Sequence, residues 1–149
     1  MIKIDKIFIF LILFGMLGCG YQPVLKNTNY DISVKFKNIN GDDQINSFIL
    51  NDFKRFSGEK IFYLDLSSTK TNNIISKDSK GDPNVLEIFI EINYSISSNN
   101  DKSLNRKTSR RMTYNNISDK FEMKKNEEII IKDLTLSISQ EIISMIKNF

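Results

Sequence analysis

Few side chains in this sequence could do chemistry, and their types narrow the possibilities at once. There is no histidine, so a histidine general base, a histidine metal ligand and a Ser-His-Asp triad are all excluded. A single cysteine, Cys19, leaves no internal disulfide and no cysteine-rich zinc site. The phosphate-cradling patterns G-x-x-x-x-G-K-[ST] and G-x-G-x-x-G do not occur. Carboxylates are the remaining acid–base groups, and no pair of them stands out. The expectation is therefore a protein that is not an enzyme, with no catalytic residue, no metal and no cofactor. Two features are left. One is the Cys19 thiol, a nucleophile able to accept an acyl group. The other is the densest positive run, Lys102, Arg106, Lys107, Arg110 and Arg111, with only Asp101 nearby. Arginine binds phosphate through paired N–H donors. On a strand, Arg106 and Arg110 share one face with Thr108, while Lys107 and Arg111 share the other. The plainer reading is a solvated strand whose cations pair with Glu87 and Glu91 on a neighbour.

The surroundings of Cys19 give the thiol its meaning. Lys3 and Lys6 make a short positive start, and Ile7 to Leu17 is apolar throughout apart from Gly15. That run is about a dozen residues, whereas a membrane-spanning helix takes about 20. Small residues follow, Gly18-Cys19-Gly20. The three parts match a secretory signal, and Met16-Leu17-Gly18-Cys19 resembles the bacterial lipobox, with Met in place of the commoner Leu at its first position. The expectation is a signal peptide over 1–18, cleavage before Cys19, and diacylglyceryl transfer to its thiol. Several acyl chains hold a protein stably on a membrane, at about 0.8 kcal/mol per buried CH₂. Gly20 is not the aspartate that tends to retain lipoproteins in the inner membrane, so the outer membrane is the expected location.

The rest of the chain must position what these residues do. Its composition, 40% hydrophobic and 26% charged, is that of one ordinary globular domain. Cys19 to Phe149 is long enough to bury roughly two-thirds of its unfolded surface. Losing Lys3, Lys6 and Asp5 lowers the formal charge of +3 by one, too little to imply nucleic acid. Residues 19–31 form a lipidated terminus and polar tether, and 32–149 one domain. Ile32 to Lys37 alternates apolar and polar, a strand with one wet face. Gly41-Asp42-Asp43 supplies a helix start, and Ile45, Phe48, Ile49, Phe53 and Phe56 recur at helical spacing up to Gly58, a left-handed stop. These aromatics are core residues in this reading, not a lipid groove. Ile61 to Leu66 alternates again. Ser67 to Asn84 is polar, with a turn at Gly81-Asp82-Pro83, and leaves open whether the strand continues through Ile74-Ile75. Val85 to Ser97 is the strongest strand, with Leu86, Ile88, Ile90, Ile92, Tyr94 and Ile96 on one face. Asn99-Asn100-Asp101 connects it to an antiparallel strand over Leu104 to Asn116. From about Met123 a helix carries Ile131, Leu134, Ile138, Ile142, Met145 and Phe149 as its apolar stripe, with Glu127 and Glu128 near its positive end. The order β-α-β-β-β-α and the apolar faces predict an α+β two-layer sandwich. Two helices pack on one face of a four-stranded, mostly antiparallel sheet, and the other face stays polar.

Residues at both ends carry a family resemblance. Cys19-Gly20-Tyr21-Gln22-Pro23-Val24-Leu25 resembles the mature start of the LPS-assembly lipoprotein family (LptE) in its alphaproteobacterial branch. Tyr114-Asn115-Asn116, Phe121-Glu122 and Glu127 before the last helix are similar to that family's carboxy-terminal part. The element order agrees, so the resemblance spans essentially the whole chain. It implies a non-enzymatic lipoprotein that plugs the LptD outer-membrane β-barrel from the periplasmic side. It also implies binding of lipopolysaccharide on its way to the surface. Under this resemblance Arg106, Lys107, Arg110 and Arg111 are candidates for contact with lipopolysaccharide phosphate or the barrel lumen. Tyr21, Pro23 and Leu25, close to the lipid, are candidates for docking against the barrel wall. The alternative is another lipid-anchored envelope accessory or adaptor.

Overall fold

A computed structural model describes residues 31–98 and 102–149. Cys19, Tyr21, Pro23, Leu25 and the Asn99-Asn100-Asp101 connection lie outside the described residues. The elements are β1 (Ile32–Gly41), α1 (Asp43–Phe53), β2 (Lys60–Lys77), β3 (Pro83–Ser98), β4 (Ser103–Asn115) and α2 (Lys120–Lys147). They form the α+β arrangement that the periodicities predict. The four strands lie in the sheet order β1-β2-β3-β4. β1 and β2 are parallel and joined through α1, as a parallel pair requires a crossover. The β2–β3 and β3–β4 pairs are antiparallel.

One core unites the layers. Ile88, Ile90, Ile92, Tyr94 and Ile96 of β3 are buried with Leu64 and Leu66 of β2, Ile45 and Ile49 of α1, and Ile138 and Ile142 of α2. Each fully buried isoleucine contributes about 1.5–3 kcal/mol relative to exposure. Edge-to-face contacts of Phe36 with Phe53 and of Phe62 with Phe149 fix each helix against the sheet, at 5.6 and 6.1 Å between ring centres. The stripe of α2 is wider than its spacing suggests, since Ile130, Ile143 and Ile146 are also buried. A long helix lying between a sheet and a second helix is covered on two sides.

Several boundaries differ from the sequence reading: β1 runs on past Lys37 to Gly41, and α2 begins at Lys120. α1 ends at Phe53, one turn before the periodicity does. Phe56 still reaches the core from the following turn. Gly58 is not a left-handed stop, because among the described glycines only Gly41 and Gly81 have positive φ. Its role is close approach: its amide donates to the Ile32 carbonyl at 2.8 Å, and a side chain there would overlap the Asp31–Ile32 backbone. β2 does continue through Ile74-Ile75, to Lys77. Past Ser68 it outruns α1, both its faces are wet, and the alternation that marks a half-buried strand disappears. Pairing with β3 holds it extended. Asp78 then closes the turn, accepting from the Lys80 and Asp82 amides at 2.9 Å.

The start of α1 is held by a polar knot. Gly41 (φ +103°) turns the chain, and Asp42 caps the helix by accepting from the Gln44 and Ile45 amides at 3.0 Å. Lys70 Nζ lies 3.0 Å from the other Asp42 oxygen. Ser68 Oγ donates to the buried Asn46 side chain at 2.8 Å.

Candidate functional site

β4 projects its four candidate cations alternately, so they do not form one site. Arg106 and Arg110 lie on the helix side of the sheet with Thr108 and Tyr114, both buried. Lys107 and Arg111 lie on the uncovered side. Arg110 is engaged inside the molecule: its Nη2 is 2.7 Å from Glu141 Oε2 on α2, and its Nε donates to Ser137 Oγ at 3.2 Å. Thr108 donates to the same Glu141 oxygen at 2.8 Å. A second clasp, Tyr114 Oη donating to Glu127 at 2.5 Å, joins β4 to the start of α2. Burial first, and then the Glu127 carboxylate, keep the Tyr114 hydroxyl protonated well above the usual tyrosine range. Arg106 is exposed opposite Tyr94 and has no ion pair among the described residues.

On the uncovered side, Lys107 Nζ sits 2.8 Å from Glu91, and the Arg111 guanidinium lies over the Phe89 ring, 5.7 Å from its centre. Glu91 is thus one of the two partners expected for these cations. Glu87 instead accepts from Asn73, at 3.0 Å.

The uncovered face also holds a feature that attention to charge misses. An open hollow of about 660 Å³ crosses all four strands. The strand register lays its side chains in two rows. One runs Asn40, Ser67, Asn93, Lys107, and the next runs Asn38, Asp65, Ser95, Asn105. A bulge at Lys37, where the β1 register shifts, sets Asn38 and Asn40 on this face. Asn38 Nδ2 donates to Asp65 at 2.6 Å. The side chains of Asn40, Asn93 and Asn105 make no hydrogen bond among the described residues. Asparagine is depleted in strands, so its recurrence at outward positions of three strands was the available signal. Among the described residues, no group of acidic or cysteine side chains could hold a metal.

A third feature lies at one end of the molecule. Ile74 and Ile75, on opposite faces of the β2 tip, are more than half exposed, and Phe121 in the first turn of α2 is 78% exposed. Asn116, in the connection from β4 to α2, donates its side chain to the Pro83 carbonyl at the start of β3 at 2.7 Å.

Comparison with known proteins places the fold. No family model matches the chain, and no curated protein sequence does. Solved structures do. Rare lipoprotein B from Shewanella oneidensis superposes with a TM-score of 0.58 at 10% identity, over 76% of this chain and 95% of that one. An uncharacterized lipoprotein B from Nitrosomonas europaea gives 0.51 at 13% identity, over 81% and 88%. At such identities the likeness establishes the shared fold.

Proposed function

We propose that this chain is a lipid-anchored, non-enzymatic protein at the periplasmic face of the outer membrane, the small partner of an LptD-type β-barrel in lipopolysaccharide assembly. The observation that carries the reading is the two-layer fold with one sheet face left bare, preceded in sequence by Met16-Leu17-Gly18-Cys19. The fold is the one found in two proteins called lipoproteins. Acylation of Cys19 supplies the membrane tether, and Tyr21, Pro23 and Leu25 pack beside it against the barrel wall. A soluble monomer has little reason to expose Phe121, Ile74 and Ile75 at one end, and such side chains suit burial against a partner. Because Arg110 is held by Glu141 and Lys107 by Glu91, we assign phosphate contact to Arg106 on one face and to Arg111 on the other.

The test is detergent extraction of the full tagged chain from a Gram-negative host, followed by affinity capture. An LptD-type barrel should come with it at near-equal amounts and survive high salt. Recovery of the acylated chain from the outer membrane without that barrel would sink the proposal.

A further inference from the structure

We infer that the hollow on the uncovered sheet face is a binding site for a sugar chain. Its two rows are spaced by the sheet itself, about 4.8 Å from strand to strand and two residues, about 6.7 Å, along each strand. They present primary amides, hydroxyls, one carboxylate and one ammonium. An amide donates and accepts at once, as a sugar hydroxyl does, so an array of amides matches a ligand that carries hydroxyls along its length. Leu66 and Tyr94 border the hollow, yet they are buried and belong to the opposite side of the sheet, so no apolar side chain projects into it from this face to receive an acyl chain. Charge argues against a polyphosphate. Asp65 and Lys107 are the charged side chains lining the floor from this face, Lys107 is already paired with Glu91, and Arg106, which also borders the hollow, belongs with Tyr94 to the opposite side of the sheet. A peptide adding a strand does not suit the hollow, which opens on the face of the sheet, whereas strand addition takes place in the plane of the sheet at an edge. The Asn38–Asp65 hydrogen bond fixes two of the side chains in advance, which lowers the ordering cost of binding.

The source of the sugar rests on the function proposed above. We assign the oligosaccharide of a lipopolysaccharide, leaving its lipid part to other surfaces. The experiment is calorimetric titration of the full, detergent-solubilised protein with lipid-free core oligosaccharide released from lipopolysaccharide by mild acid. A peptidoglycan glycan fragment is titrated in parallel. The core oligosaccharide should bind, and the exposed pair Asn93→Ala with Asn105→Ala should weaken it about tenfold, from loss of two hydrogen-bonding groups. Asn40→Ala, which removes one such group instead of two, should weaken it less. The thermal midpoint of each variant should match the parent, showing that the fold is intact. Failure of the core oligosaccharide to bind, equal binding by the variants, or binding of the peptidoglycan fragment alone would overturn the assignment. Sugar binding by a protein that captures no barrel would uphold this site and sink the functional reading.

Discussion

Arg106 and Arg110 are two residues apart on one strand face, but the structure gives them different work. Arg110 and Glu141 are partly exposed, so their ion pair contributes modestly, and the shared bonds of Thr108 and Ser137 add to it. Arg110→Ala should lower stability by about 1 kcal/mol, seen as a reduced midpoint in urea denaturation. Arg106→Ala should leave that midpoint unchanged and, under the proposed function, weaken lipopolysaccharide binding. A matched loss of stability in both variants would contradict this division. Charge reversal at both positions together would mix a structural effect with a binding one, so the two must be tested singly. At Cys19 the expectation is simpler. Cys19→Ala should abolish incorporation of labelled palmitate and release the protein from the membrane fraction, and continued labelling would refute the acylation site.

Elements carry their own predictions, best posed at the start of α1. Asp42 loses solvation by burial, which raises its pKa, yet the Ile45 amide and Lys70 outweigh this and hold its carboxyl below the usual range. A folded pKa below the unfolded one stabilises the protein above the unfolded value of 3.8, and that contribution fades as pH falls through the lower folded value. Asp42→Asn should therefore be less stable than the parent by a constant amount above about pH 5, with the gap narrowing below pH 4. A gap independent of pH would mean that the carboxylate charge plays no part. Gly41→Ala should cost more than about 2 kcal/mol, because the left-handed backbone disfavours a side chain and the Ser68 carbonyl occupies its place. Chemical denaturation measures this directly. Gly81→Ala should be milder, since open space surrounds that turn and only the backbone preference is violated.

For the whole molecule, the exposed apolar end separates folding from function. Phe121→Ser with Ile75→Ser should leave the unfolding midpoint within about 0.5 kcal/mol of the parent, because neither side chain belongs to the core. The same variant should lose retention of the barrel partner in the detergent capture. A large drop in stability would instead make these side chains part of the folding core.

The sequence alone determined the elements that bury one face, since alternation and helical spacing record burial directly. β1, β3, α1 and α2 were legible in this way, β4 through the connection that returns it along β3, and the helix start at Gly41-Asp42-Asp43 and the two-layer arrangement were legible too. The second half of β2 was not, because a strand wet on both faces has no apolar period and is defined only by its pairing with β3. Gly58 looked like a helix stop because sequence spacing cannot show that another strand runs beside it. Only the tertiary structure decided the candidate site. Charge drew attention to β4, where alternation divides the cations between two faces and a helix claims one of them. The asparagine rows come from residues 38 to 105, brought level by strand register. Register is a property of paired backbones, and no single segment of the chain contains it.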